Sequence, residues 1–403
     1  MSRDVDARCD PAAVNDLPVP DDGGTAPGEV VVIGAGPAGC AAAIALRSAG
    51  VAVTLLGGGR DEPVRMGESL PAEARPLLRR LGVWEEFERA GHPPSPGMAS
   101  AWAGEDLAWR DAFTAPLGGG WLIDRGRFDA SLVEAARSAG VTVVDGARVT
   151  AVRPEGAGWR LSIAPPRGPG GGRAAESPAG PRGPRGLRAG FVVDAAGRAG
   201  VLARRHGAPL HADRLMCAFT VLTGSTGPAE PRAIRRPVIE SAEHGWWYGA
   251  DAGEGRTAVG LFSDADVFRR ASATSARSWY DLLRRTRHVF DLLGRPGPPP
   301  AVRTVPAASH CLTRLYGRNW VAAGDAASAF DPLSSAGVVA ALRSGLGAAT
   351  GVLAALDGRF DALAAFQRRT QVQYTSYLLR RRDHYAAEPR WPGAPFWRRR
   401  APA

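Results

Sequence analysis

The chain has 403 residues, 45% of them apolar, which is more than one hydrophobic core organises and makes two joined domains the expectation. Its net charge of +10 comes from 50 basic and 40 acidic side chains, and every basic one is arginine, since the sequence contains no lysine. A nucleic-acid reader usually mixes lysine and arginine on one face, so total replacement by arginine reads as a coding bias and sets nucleic-acid binding aside, and no unbroken apolar run reaches the roughly 18 residues of a membrane span. Cys9, Cys40, Cys217 and Cys311 form no CxxC pair, which argues against a disulfide framework or a zinc site.

Residues 1–27 are acidic, rich in Pro and Gly, and lack a signal-type apolar stretch, so they read as the disordered leader of a cytoplasmic protein. The run 29–33 (EVVVI) predicts a buried parallel strand, followed at once by Gly34, Gly36 and Gly39, an Ala-rich helix over 38–49, and a second strand over 51–56. A helix broken near Gly82 is predicted over 75–91, another helix over 128–139, and strands over 141–144, 147–152 and 159–164. Residues 165–186 are almost wholly Pro, Gly, Arg and small residues and read as a flexible loop. A strand and turn resume at 191–197. Alternating runs over 214–262 predict a half-buried antiparallel sheet, the body of a second domain. Helical patterning returns at 276–293. A strand and turn follow at 319–325, a small-residue helix at 333–356, and an arginine-rich helix at 360–385. The runs Arg380–Arg382 and Arg398–Arg400 read as solvated, frayed surface.

The fold class expected is therefore α/β, with a Rossmann-type domain interleaved with an antiparallel-sheet domain and closed by C-terminal helices. Residues 28–100, 120–213 and 300–360 are assigned to the first, 101–119 and 214–299 to the second, and 361–403 to a C-terminal helix and basic tail.

Gly34-x-Gly36-x-x-Gly39 follows a strand and opens a helix, as dinucleotide binding requires. The first glycine makes the tight turn, the second lets backbone approach a pyrophosphate, and the third lets helix and strand pack. Pro37 and Ala38 start the helix, whose free amides favour phosphate. The acid that should end the second strand and hold the adenosine ribose is missing. Gly57 stands there, leaving Asp61 or Glu62 as substitutes, or no contact at all. Far downstream, Gly324-Asp325 closes an apolar strand, and Asp331-Pro332-Leu333-Ser334-Ser335-Ala336-Gly337 heads the long helix. A Gly-Asp turn sets a carboxylate against ribityl hydroxyls, and the helix start beyond it stabilises negative charge on a reduced flavin ring.

With Arg125 before a helix, and Asp194 and Gly197 in the string Asp194-Ala195-Ala196-Gly197-Arg198, these motifs resemble the p-hydroxybenzoate-hydroxylase-like flavoproteins over roughly residues 29–360. The resemblance implies bound FAD, with NADH or NADPH as a transient reductant that has no domain of its own. The strings Arg65-Met66-Gly67-Glu68-Ser69-Leu70-Pro71 and Gly245-Trp246-Trp247-Tyr248 look like the branch that holds the tryptophan halogenases. Within that branch they are most similar to the flavoproteins that oxygenate a protein tryptophan when quinone cofactors of amine oxidases and dehydrogenases mature. In that group Gln usually stands where this chain has Ala336.

The halogenases pass the halogen through an active-site lysine, which this chain lacks. They also carry a WxWxIP motif where this chain has Trp246-Trp247-Tyr248-Gly249-Ala250, and a glutamate where it has Ser334. The expectation is accordingly a single-component FAD monooxygenase. It would hydroxylate an indole-type aromatic with O2 through a flavin C4a-hydroperoxide, on a small molecule, peptide or carrier. The alternatives are an FAD-dependent reductase or dehydrogenase of the same fold, a halogenase, and a non-catalytic FAD-binding partner. Pro332, Ser334, Ser335 and Glu68 are expected beside the flavin, and His244, Trp247, Trp246 and Tyr248 on the substrate side. Gly34, Gly36, Pro37, Ala38, Gly39, Arg125, Asp194, Gly197, Gly324, Asp325 and Gly337 are expected at the cofactor.

Overall fold

Val30–Ile33 are all β-branched and all buried, and they form the central strand of a six-stranded sheet. The computed structural model describes residues 29–57, 68–111, 117–164, 185–223, 236–253 and 255–401. The expected leader, nearly all of the 165–186 loop, Asp61, Glu62 and the Arg65–Gly67 string lie outside the described residues.

The central strand pairs in parallel with Phe191–Asp194 on one side and Val53–Leu56 on the other. Thr142–Val144 extends the sheet at one edge, and Trp320–Ala322 with the antiparallel Tyr316–Gly317 extends it at the other. Helix α1 (Pro37–Ser48) connects the first two strands, opening with a proline and ending before Gly50 at φ +86°. Helix α2 (Ala74–Arg80) stops before Gly82, whose φ of +69° supplies the break expected there. Helix α3 (Arg125–Ser138) is capped by Asp124, which accepts a hydrogen bond from the Arg127 amide at 3.0 Å.

The second sheet has seven strands, in the order Arg303–Pro306, Leu215–Thr223, Arg256–Asp264, Gly245–Gly253, Val238–Ala242, Gly97–Ala101, Ala108–Asp111. Alternation along a strand sends Trp246 and Trp247 to opposite faces. Trp247 packs with Val259, Leu261 and Trp279 of helix α4 (Ala276–Leu283) on the outer face. Trp246 stacks on Phe262 at 3.9 Å on the inner face.

Helix α5 (Gly337–Leu356) is long and apolar enough to cross a membrane, but it is a core helix, with 61% of its span buried in the protein. Its small residues admit two neighbours. A Cβ on Gly345 would lie 2.2 Å from the Ala38 carbonyl of α1, and one on Gly351 would lie 2.5 Å from Leu363 of helix α6 (Asp361–Ala386). The C-terminal segment then returns to the second sheet through helix α7 (Pro395–Arg398). There Phe396 and Trp397 are buried against its inner face. Arg399 and Arg400 are not frayed surface, because both pair with Asp264 at 2.7 Å. Arg381 is likewise buried rather than solvated.

Candidate active site

The two turns flagged by sequence lie on one side of the six-stranded sheet, one at the start of α1 and one ahead of α5. At the first, Gly34 has φ +103° and a Cβ there would sit 2.3 Å from the Ala195 carbonyl. A Cβ on Gly39 would sit 1.8 Å from the Gly34 carbonyl. Gly36 differs, since a Cβ there would meet nothing within 4 Å. It is the extended N-cap of α1, a helix with no side-chain cap and no acid in its first turn. The space beside Gly36 at this uncapped helix start is open, the arrangement a pyrophosphate needs. Pro37 and Ala38 are buried packing residues. Ala38 sets the approach of α5 and of Gly324, whose Cβ would be 2.6 Å away.

Gly57 takes φ +129° and donates its amide to Val144 at 3.2 Å, so the chain turns where an acid would have reached the ribose. The second turn begins at Gly324, with φ +60° and its amide donated to the Ser344 hydroxyl at 2.8 Å. Asp325 follows, with 36% of its side-chain surface open and Arg198 Nε 3.3 Å from its carboxylate. The surrounding protein pushes the Asp325 carboxyl up, and Arg198 and Arg125 pull it back down. Arg198 also donates to the carbonyls of Ala308 and Phe330, which makes it the clamp on this turn. Sequence offered Arg198 only as one letter of a string. Arg125 turns its guanidinium to Asp129 at 3.1 Å and is 13% exposed, while its charge still acts on Asp325. Gly197 has φ +67° and forms the corner between Asp194 and Arg198.

Asp194 corrects the expectation of cofactor contact. It is fully buried, and one carboxylate oxygen accepts from the amides of Val201, Leu202 and Ala203 at 2.7–2.8 Å. The other accepts from the Ala196 amide at 3.2 Å. The residue fixes the loop after its strand and, being fully buried, presents no surface to a ligand.

In the Asp331–Gly337 string, Pro332, Ser334 and Gly337 are exposed, and Ser335 is left-handed at φ +49°. Like α1, α5 starts without a side-chain cap or an acid in its first turn, so its amides stand ready for negative charge. Asp331 is buried and anchors the turn. It accepts from Tyr385 Oη at 2.8 Å and from Arg381 Nε at 3.2 Å, and its amide donates to Tyr377 Oη at 2.8 Å. Tyr385 Oη in turn accepts from Trp246 Nε1 at 3.0 Å, which ties the turn to the aromatic inner face of the second sheet. All three α6 residues were missed by sequence reading, because helical periodicity does not say what an inward tyrosine or arginine bonds to.

Glu68 lies on a short strand paired with Ile123, and this strand packs beside Gly245–Gly253. His244 occupies the half-buried turn ahead of Trp246, with its carbonyl accepting from Ser263 Oγ. Trp247 is 1% exposed, with Trp279 at 5.0 Å, so its expected place on the substrate side is corrected to the outer core.

An open glycine cradle, two uncapped helix starts and a half-open carboxylate between two arginines are the donor set of an FAD site. The FAD binding domain family matches residues 28–362, and the chain belongs to it. It is an FAD-dependent oxidoreductase of the halogenase and monooxygenase clan.

Among its relatives, the FAD-dependent oxidoreductase LodB of Marinomonas mediterranea is 27% identical over 92% of this chain and 96% of that protein. The tryptophan 2-halogenase of Chondromyces crocatus is 27% identical over 87% of this chain, which spans 66% of that enzyme. Of solved structures, the flavin-dependent halogenase CmlS superposes with a TM-score of 0.78 at 25% identity, over 93% of this chain and 68% of its own. The peptidyl tryptophan dihydroxylase QhpG gives 0.75 at 27%, over 93% and 79%.

These likenesses correct the expectation of hydroxylation. Flavin-dependent halogenases of Armillaria mellea, Acremonium egyptiacum and Penicillium aethiopicum match at 25–27% identity over 87% of the chain. A pyrrolyl-carrier brominase also matches, at 24%. Halogenation, placed behind oxygenation because the lysine, the WxWxIP motif and the glutamate at Ser334 are absent, is the better supported chemistry. The three missing features are local differences, whereas the likeness covers 87% of the chain.

Proposed function

We propose that this protein is a flavin-dependent halogenase acting on an electron-rich aromatic group, free or held on a peptide or carrier. The observation that supports it most is the likeness to halogenases over 87% of the chain, spanning the cofactor turns and the aromatic sheet together. FAD, when bound, supplies the activation of O2, with reduced NADH or NADPH as the proposed source of electrons.

The chain's own residues bind, orient and exclude water. The amides of Gly36 and Ala38, on either side of Pro37, take the phosphates, Asp325 takes ribityl hydroxyls, and the start of α5 favours the charged ring edge. Trp246 and Tyr385 form a rigid backing for the substrate side, and Glu68 and His244 border it. Since the chain contains no lysine, no amine relays the halogen. The hydroxyls of Ser334 and Ser335, beside Pro332 at the exposed turn, are proposed to hold the halogenating agent instead.

The test supplies purified protein with FAD, an NADH-driven flavin reductase, air, and chloride or bromide. The substrates offered are L-tryptophan, a tryptophan peptide and a simple phenol. The expected product carries the isotope pattern of the supplied halide and disappears without halide or O2. A product that gains oxygen at equal yield with and without halide overturns the reading.

A further inference from the structure

A cavity of about 480 Å3 lies between α2, α5 and α6, away from the face where α5 meets α1. Gly345 marks the α1 side of α5. At 3.6 residues per turn, Arg343, Gly347 and Thr350, which line the cavity, fall on the opposite side. The cavity therefore opens on the side of α5 away from α1, and it touches the second cofactor turn at Gly324, one of its lining residues.

Each of the three helices contributes one arginine to it, Arg80 from α2, Arg343 from α5 and Arg369 from α6. All three are exposed. None makes a hydrogen bond or ion pair among the described residues, and no acidic residue lines the cavity. Where arginines crowd elsewhere in this protein, carboxylates compensate them: Arg381 lies between Asp213 and Asp331, and Arg399 and Arg400 share Asp264. Here three arginines line one recess with no carboxylate among the lining residues.

An independent feature points the same way. Ser328 also lines the cavity and is 6% exposed, yet its buried hydroxyl has no partner. A buried hydroxyl without a partner is costly, and a bound acceptor removes that cost. Leu77, Leu346, Phe330 and Phe366 supply apolar and aromatic wall beside the polar Thr370 and Gln373. The volume lies in the range of small-molecule sites, roughly 300–1,000 Å3, and is far more than one inorganic anion fills.

We propose that this recess binds the phosphoryl group of a small ligand. The three guanidiniums take its oxygens with their forked donors, Ser328 donates from the floor, and the apolar walls hold the ligand's ring or chain. The same phosphoryl chemistry is offered by a nucleotide and by free inorganic pyrophosphate.

The experiment uses the full-length, FAD-loaded protein, so that the cofactor turns are filled. It titrates ADP, then sodium pyrophosphate, by calorimetry at low and at physiological salt. The parent is expected to bind ADP, and more weakly at higher salt. Arg343→Ala and Arg369→Ala are each expected to weaken binding by about tenfold or more, the loss that follows removal of a charged hydrogen-bond donor. Their FAD content, read from visible absorbance, stays at the parent level. Ser328→Ala weakens binding less. Tight binding of pyrophosphate with none of ADP supports the phosphoryl site but drops the nucleotide as its source. No heat from either probe at millimolar concentration overturns the proposal, as does binding that all three variants leave unchanged.

Discussion

The turn at Gly34–Gly39 and the turn at Asp331–Ser335 face the same proposed cofactor and are built in opposite ways. The first exists because side chains are missing, since Gly34 and Gly39 let backbone touch backbone at distances that any Cβ forbids. The second exists because side chains arrive from elsewhere. Arg381, Tyr377 and Tyr385 reach from α6 to grip Asp331, some fifty residues before them in the chain. A turn made of absences is rigid but can be damaged only by addition. A turn gripped from outside can be loosened by deletion at a distance, and its motion is coupled to whatever else the gripping residues hold.

The largest effect is expected at the first turn. Gly39→Val places carbon against the Gly34 carbonyl, where even a Cβ lies at 1.8 Å, and no flavin-bearing protein should be recovered. Gly36→Ala is the informative partner to it. The space there is open, so thermal unfolding of the apo-protein should match the parent, while FAD affinity falls by about tenfold, because a methyl group now occupies the ground of the phosphate. Equal FAD affinity in Gly36→Ala and the parent sinks the placement of the cofactor.

At the second turn, Asp331→Ala leaves Arg381 with Asp213 alone and strips acceptors from Tyr385 Oη and Arg381 Nε. Removing one partner from a buried charged pair costs about 3–5 kcal/mol, and urea unfolding should show a loss near the lower end, because Asp213 remains. A loss below about 1 kcal/mol, the scale of an ordinary hydrogen bond, says that α6 does not hold the turn.

The same contrast explains what sequence could and could not reveal. The first turn is a local code, with strand, glycines and helix in one stretch of chain, so its elements were placed to within a residue or two. The sheets and the breaks at Gly82 and Gly50 were legible for the same reason. Asp194 was misjudged because an acid at a strand end looks the same whether it meets a ligand or three amides of its own loop. Trp246 and Trp247, neighbours on a strand, face opposite ways, and which one faces inward depends on which sheet face the C-terminal segment covers. The tail was read as frayed because arginine runs usually are, and its carboxylate, Asp264, lies over a hundred residues away. The absences of lysine, of the WxWxIP motif and of a glutamate at Ser334 were weighed too heavily.

A pH experiment probes the neighbourhood of the second turn in another way. His310 pairs with Ala329 just ahead of that turn, is 1% exposed, and has an Nε2 without a partner. Burial, then the charges of Arg198 and Arg204, lower it from 6.5 to about 4. Between those values the unfolded chain binds the proton and the folded chain does not. The contribution of His310 is therefore fully present above pH 6.5 and is lost as pH falls towards 4. The loss is at most about 3 kcal/mol. His310→Gln should unfold with a shallower dependence over that window than the parent. Parallel curves for the two proteins show that the imidazole is not the group responsible.

The smallest expected effect is the one that best tests coupling. Tyr385→Phe keeps the ring, and with it the packing on Phe396 and Trp397, and removes only the hydroxyl between Trp246 Nε1 and the Asp331 carboxylate. Asp331 keeps Arg381, so the cost comes mainly from the stranded indole N–H and should be about 1–2 kcal/mol in urea unfolding. A purely structural hydroxyl would change nothing else. If it couples the turn to the aromatic face, then Trp246→Phe should lower stability by a similar amount, and the double variant should cost clearly less than the two single losses together. Fully additive losses separate the two regions, and the turn before α5 then owes its position to Arg381 and Tyr377 alone.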